Sequence, residues 1–196
     1  MYDGKDDIME KKVHYFYALR LPSETKARLQ EVCNQLRGEF PFKKWVHHED
    51  FHITLAFLGH AKNNQLETSV QYVREALTTQ QSFSLIINHL GVFGKKDSPR
   101  IFWAGSETSP HLSQVRDLVY DACEESGFQL EKRAFNPHIT LARKWTGDTP
   151  FSTDFLEKKN PFLNEPEFFN ATEVVLYQTH LDRVPKYEVI ETFLLK

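Results

Sequence analysis

The sequence predicts an α+β protein: bilobal, with two antiparallel-sheet lobes and flanking helices around a central groove. Three observations lead there. Strand-like runs cluster between the helices instead of alternating with them, unlike the regular order of a doubly wound parallel sheet. The tetrapeptide His-Ile-Thr-Leu occurs twice, at 52–55 and at 138–141, far enough apart for each lobe to hold one copy. The chain has 196 residues, 40% of them hydrophobic and 16 of them Phe, which suffices for one large domain or two small lobes with a substantial core.

The elements follow in order. Residues 1–12 are charged and lack an apolar signal core, so they are expected to form a flexible extension ahead of a single bilobal domain, 13–196. Residues 13–21 (VHYFYALRL) are aromatic and branched enough for a strand. Pro22-Ser23 opens a helix, with Ser23 as the expected N-cap and Leu29, Val32, Cys33 and Leu36 as its apolar stripe, and Gly38 ends it. Trp45-Val46 suggests a short strand, and 51–58 a clear one that stops at Gly59.

Residues 62–77 carry Leu66, Val70, Val73 and Leu77 at helical spacing. A strand at 83–93, a turn-rich 94–99 and a short strand at 101–104 come next. Ser109-Pro110 begins a third helix with Leu112, Val115, Leu118, Val119 and Cys123 on one face, stopped by Gly127. Strands are expected at 128–134 and 138–143. Pro150, Pro161 and Pro166 mark 146–168 as an excursion loop, and 173–180 with 187–195 reads as a closing hairpin across 182–185.

Bulk properties narrow the partners. A formal charge of −3 argues against an extended grip on duplex DNA or RNA, which requires many cationic contacts to phosphates. A small phosphate-bearing substrate, or a nucleic-acid end held at few points, remains compatible. No apolar run approaches the length of a membrane span, so no membrane partner is expected. The two cysteines, Cys33 and Cys123, fall inside helices and suit reduced packing residues of a cytoplasmic protein. A monomer is expected.

Strand alternation gives the repeat its chemical sense. His52 and Thr54 share one face of their strand while Ile53 and Leu55 share the other, and His138 and Thr140 relate likewise to Ile139 and Leu141. Each copy thus offers an imidazole and a hydroxyl to a groove and two aliphatics to the core. Two histidines near their ordinary pKa can divide general-base and general-acid work, and the threonines can donate hydrogen bonds to nonbridging phosphate oxygens. No cofactor is called for. His47-His48-Glu49-Asp50 has side chains that diverge and lacks a second cluster at metal spacing, so no metal site is expected. Lys44, Arg100 and Arg133 are candidate phosphate contacts that read more readily as solvated charges. Trp45, Phe51, Phe93 and Phe135 are candidate base-stacking rings for which core packing is the default.

The motifs and their flanks, 51–59 (FHITLAFLG) and 136–143 (NPHITLAR), resemble the two-histidine (2H) phosphoesterase superfamily. More narrowly they are similar to its RNA 2′,3′-cyclic phosphodiesterase branch, historically called 2′-5′ RNA ligase. The similarity extends to Leu21-Pro22, Trp45-Val46 and Gly127-Phe128. It implies that His52 is the proton donor to the leaving ribose oxygen, His138 the proton acceptor from water, and Thr54 and Thr140 phosphate-binding hydroxyls. The implied substrates are RNA ends or small cyclic nucleotides, opened to 2′-phosphates, with reverse 2′-5′ ligation available. The family's Arg after the second motif is Arg143; strict alternation puts it on the face opposite His138 unless the strand bulges. A noncatalytic RNA-end or nucleotide-binding module and a 2′-5′ oligonucleotide phosphodiesterase are the alternative readings.

Overall fold

The structure, a computed structural model, describes residues 13–196; the extension expected at 1–12 lies outside the described residues. Among the described residues, nine strands build two antiparallel sheets and four α-helices accompany them. The strands are β1 (Tyr15–Arg20), β2 (Phe42–Trp45), β3 (His52–Gly59), β4 (Phe83–Gly94), β5 (Pro99–Ser106), β6 (His138–Trp145), β7 (Glu167–Ala171), β8 (Glu173–Thr179) and β9 (Tyr187–Leu194). The helices are α1 (Ser23–Leu36), α2 (Asn63–Leu77), α3 (Pro110–Glu125) and α4 (Thr153–Lys159). One sheet runs β3-β1-β8-β9 and the other β2-β6-β5-β4-β7. The expected α+β class and the assignment of one motif strand to each sheet both hold. The lobes are not sequence halves, however: β8 and β9 return from the C-terminus to complete the sheet that β1 begins.

One buried cluster runs behind both sheets. It unites Tyr17, Leu19, Ile53 and Leu176 of the first with Ala104, Ile139, Leu141 and Phe169 of the second, and α1, α2 and α3 add Leu29, Val73, Leu112 and Val119. α2 packs on α3, and β3 meets both α3 and β6, so the two motif strands come together over a shared core. A small second cluster on the opposite face of the first sheet holds Phe16, Ala18, Val175 and Tyr177, with Tyr187 against it.

Four local expectations need correction. Ser23 is the first helical residue, not the cap: the Lys26 amide already bonds the Pro22 carbonyl, and no side chain caps this end. No strand forms at 128–134. Phe128 and Leu130 are buried and mimic strand alternation, but β6 already has β5 and β2 on its two edges. The span 146–168 is not a plain loop. It contains α4, capped by Ser152, a 3-10 turn at Pro161–Leu163 capped by Asn160, and the start of β7 paired with β4. Its prolines sit where they are harmless, Pro161 at the first position of the 3-10 turn and Pro166 just before β7, so they punctuate elements instead of breaking them. Finally, β2 starts earlier than expected, at Phe42, and its pairing with β6 continues through the Val46 amide to the Leu141 carbonyl at 2.8 Å.

The motif aliphatics carry measurable stability. Ile139 is 1% exposed, so Ile139→Ala is expected to lower the unfolding free energy by about 2–5 kcal/mol. Urea unfolding reads this as a lower midpoint at unchanged m value.

Candidate active site

Each motif strand departs from regular pairing at the same place. On β3, Tyr17 of β1 opposes Ala56 and Ala18 opposes Thr54, so Leu55 is an extra residue without a partner. On β6, Phe102 of β5 opposes Ala142 and Trp103 opposes Thr140, so Leu141 is extra in the same way. Such bulges shift the alternation by one. Leu and Ala at 55–56 and 141–142 are all buried, and the residue five beyond each histidine turns to the histidine's own face. That residue is Phe57 on β3 and Arg143 on β6. The bulge therefore brings Arg143 to the side of His138 and Thr140, which unbroken alternation forbids. Lys44 of β2 lies directly opposite Arg143 and adds a second cation to that row.

The two imidazoles are held alike. His52 Nδ1 lies 2.7 Å from the Asp50 carbonyl and His138 Nδ1 lies 2.8 Å from the Asn136 carbonyl, in each case two residues upstream. A carbonyl only accepts, so Nδ1–H donates in both and Nε2 is the nitrogen left for chemistry. His52 Nε2 accepts from the Thr54 hydroxyl at 3.2 Å. The turn that supplies the Asp50 carbonyl is itself tied down. The buried carboxylate of Asp50 accepts from the backbone amides of Lys186, at 3.0 and 3.2 Å, and Tyr187, at 3.1 Å. The buried Lys26 amine of α1 donates to the Glu49 carbonyl at 2.8 Å and to its carboxylate at 3.1 Å. His52 is thereby oriented from both the N-terminal helix and the C-terminal hairpin.

Both rings are walled by aromatics. Phe16, Tyr187 and Tyr177 lie 4.8, 5.1 and 5.8 Å from His52, centre to centre. Phe93 stands edge-on to His138 at 4.9 Å, and Trp103 lies 6.3 Å away. Burial consequently depresses the His52 pKa to about 4, against the pull of its Asp50 hydrogen bond and with the charges of Lys186 and His138 adding to the depression. His138 is lowered too, by burial first and then by the charges of Arg133 and Arg143. The leading charge on His52 is Lys186, ahead of His138, and the leading charge on His138 is Arg133, ahead of Arg143.

The remaining candidates separate cleanly. Phe51 is buried and Trp45 packs on the core beneath Arg37, so neither faces the site. Phe135 also packs on the core, near Arg116. Arg133 pairs with Glu131 at 3.3 Å. His47 and His48 stack on each other while Asp50 turns inward, and among the described residues no three His, Cys, Asp or Glu side chains converge as a metal site. Sequence reasoning missed Asp50 as the anchor of the His52 turn, because its partners are backbone amides 136 and 137 residues away.

This architecture, with a hydroxyl and a δ-protonated imidazole on one bulged strand of each sheet, is the fold of a two-histidine phosphoesterase. Residues 21–183 match the model of the 2'-5' RNA ligase superfamily, and the chain belongs to that family. It is 40% identical over 183 residues to an RNA 2',3'-cyclic phosphodiesterase of Geobacillus stearothermophilus, covering 93% of this chain and 57% of that longer relative. It is 34% identical to the Bacillus subtilis RNA 2',3'-cyclic phosphodiesterase over 93% of this chain and 96% of the relative. A solved structure from Thermus thermophilus shares the fold with a TM-score of 0.75 at 23% identity, covering 93% of this chain and 97% of its own. Escherichia coli LigT complexed with 3'-AMP does so with a TM-score of 0.74 at 23% identity, over 93% and 98%.

The depressed His52 pKa makes stability depend on pH. The unfolded chain takes up a proton at His52 near 6.5, whereas the folded chain resists until about 4. Stability from this group is complete above 6.5 and is lost as pH falls through that window, by about 3 kcal/mol in all. His52→Gln is expected to flatten the acid side of a pH series of urea unfolding; an equally steep loss in the variant contradicts the shift.

Proposed function

We propose that the chain is a phosphoric diester hydrolase that opens terminal RNA 2′,3′-cyclic phosphates to 2′-phosphates, with His52 and His138 as its acid and base. The single observation behind this reading is the matched pair of imidazoles. Each has its Nδ1 proton committed to a backbone carbonyl, and each therefore presents Nε2. His138 Nε2 takes a proton from water as its oxygen attacks phosphorus, and His52 Nε2–H protonates the departing 3′ oxygen, leaving phosphate on the 2′ oxygen. The P–O3′ bond breaks as the new P–O bond forms, and the pair ends with its proton exchanged. Thr54, Thr140 and Arg143 hold the nonbridging oxygens, where transition-state charge is greatest. The reverse course joins RNA ends through a 2′-5′ linkage.

The low pKa of both rings has a mechanistic consequence. In the empty site both are neutral at pH 7, and the phosphate anion, arriving beside Arg143, restores the proton that His52 needs. RNA ends and small cyclic nucleotides suit a chain of net charge −3 better than duplex DNA does. No helix among the described residues is long and apolar enough to cross a membrane. A cytoplasmic monomer of one domain completes the proposal.

Product analysis with 2′,3′-cyclic phosphate oligonucleotides and mononucleotides, with chelator present, tests activity, regiochemistry and metal independence together. A 2′-phosphate product is expected; binding without turnover of any of them would instead identify a noncatalytic RNA-end module. His52→Ala and His138→Ala are each expected to lower kcat by about a hundredfold or more. Arg143→Gln is expected to lower kcat/KM by about tenfold or more, as loss of a charge-assisted hydrogen bond generally does. The pH profile of kcat/KM is expected to be bell-shaped with its maximum below 6.5. Only the singly protonated pair is competent: above that range both rings are neutral, and below it both are charged. A plateau extending to alkaline pH contradicts the assignment.

A further inference from the structure

The face of the second sheet that carries His138 continues past it onto β5 and β4, and there it holds an unexplained aromatic surface. Trp103 lies directly opposite Thr140 on one side and Gly91 on the other, and Gly105 lies opposite both His138 and His89. The indole rests on bare backbone at both ends. A Cβ at Gly91 would fall 2.3 Å from its Cζ2, and a Cβ at Gly105 would fall 2.7 Å from its Cζ3. Only glycine at these two positions lets the ring lie flat on the sheet.

Two further rings bound it. Phe93 leans against the indole at 4.9 Å and 32°. His89 stands perpendicular to it at 5.5 Å and 86°, its edge also occupying the space over Gly105. That upright ring is fixed by a relay: His89 Nδ1–H donates to Asn88 Oδ1 at 2.7 Å, and Asn88 Nδ2 donates to Glu107 Oε1 at 3.0 Å.

Core packing does not account for this arrangement. Trp45 and Trp145 both pack against the main core, whereas Trp103 and Phe93 belong to neither core cluster nor to the rings packed against them. A structural tryptophan ordinarily gives its indole N–H a partner. The N–H of Trp103 is buried without any acceptor in the protein. A flat ring, cleared of side chains beneath and walled on two sides, lies directly opposite Thr140 and 6.3 Å, centre to centre, from the His138 ring.

We infer that Trp103 is the platform on which the base of the terminal nucleotide stacks, with Phe93 and the Asn88-held His89 as its rims. The inference rests on the phosphodiesterase reading above and adds to it the subsite that separates a nucleotide from a bare ribose phosphate. Stacking uses the face every base has, so all four bases are accepted, and the site contributes affinity instead of sequence choice.

The test compares adenosine 2′-phosphate with ribose 2-phosphate in calorimetric binding, and the corresponding cyclic forms in turnover. The protein is expected to prefer the base-bearing ligand by about tenfold or more, the usual scale of one base on one aromatic ring. Trp103→Ala is expected to bring that ratio close to one, and Trp103→Phe to retain much of it. Gly91→Ala, which leaves the indole present but lifts it from the sheet, is expected to reduce the ratio as well. Circular dichroism confirms that each variant is folded. A ratio near one in the unaltered protein, or a ratio unchanged in folded Trp103→Ala even if both ligands weaken, overturns the inference. Failure of the phosphodiesterase reading is distinguishable: the binding ratio persists while neither cyclic form turns over.

Discussion

The residue inserted directly after the motif threonine on each strand governs the whole site. A regular β3 or β6 would place every second side chain on the groove side, so the residue five beyond each histidine would join the core. The extra Leu55 and Leu141 send two consecutive aliphatics inward and return the next side chain outward. On β6 this supplies a guanidinium beside the second histidine. On β3 the same geometry presents Phe57, which is 58% exposed. The two motif copies thus share this bulge and differ in the side chain that it turns outward.

Tautomer and polarity of the histidines come from separate parts of the molecule. The tautomer is set locally, since each ring donates to a carbonyl two residues away on its own chain. Polarity is tertiary, since the rings that exclude water from His52 arrive from β1, β8 and β9, and those around His138 from β4 and β5. The cost of this enclosure is a pair of imidazoles that resist protonation in the empty site. On the phosphodiesterase reading, an anionic substrate offsets that cost when it binds, which couples the proton inventory of the site to occupancy.

Topology links the site to both ends of the described chain. β8 and β9 close the sheet opened by β1, and the turn ahead of β9 lays its Lys186 and Tyr187 amides on Asp50. A buried carboxylate needs such partners, and here they are obtained by clamping the start of the first motif strand to the C-terminal hairpin. The single core behind both sheets holds the second motif strand to the first. The same sheet that bears His138 then extends the groove face across β5 and β4, where two glycines make room for a flat indole.

The sequence by itself determined the α+β class, all three long helices, eight of the strand regions in outline and four side chains of the candidate site. Those features are local: period-two and period-3.6 patterns, caps and glycine stops, and a motif whose alternation separates His52, Thr54, His138 and Thr140 from their aliphatic neighbours. Tertiary structure decided the rest, because it turns on partners distant in the chain. Phe128 and Leu130 have strand-like spacing but no free sheet edge to join, whereas residues 167–171 form β7 because β4 offers one. The place of Arg143 depends on a bulge defined by pairing with β5, the anchoring of His52 on amides from the far hairpin, and the seat of Trp103 on glycines that matter only once three strands lie side by side.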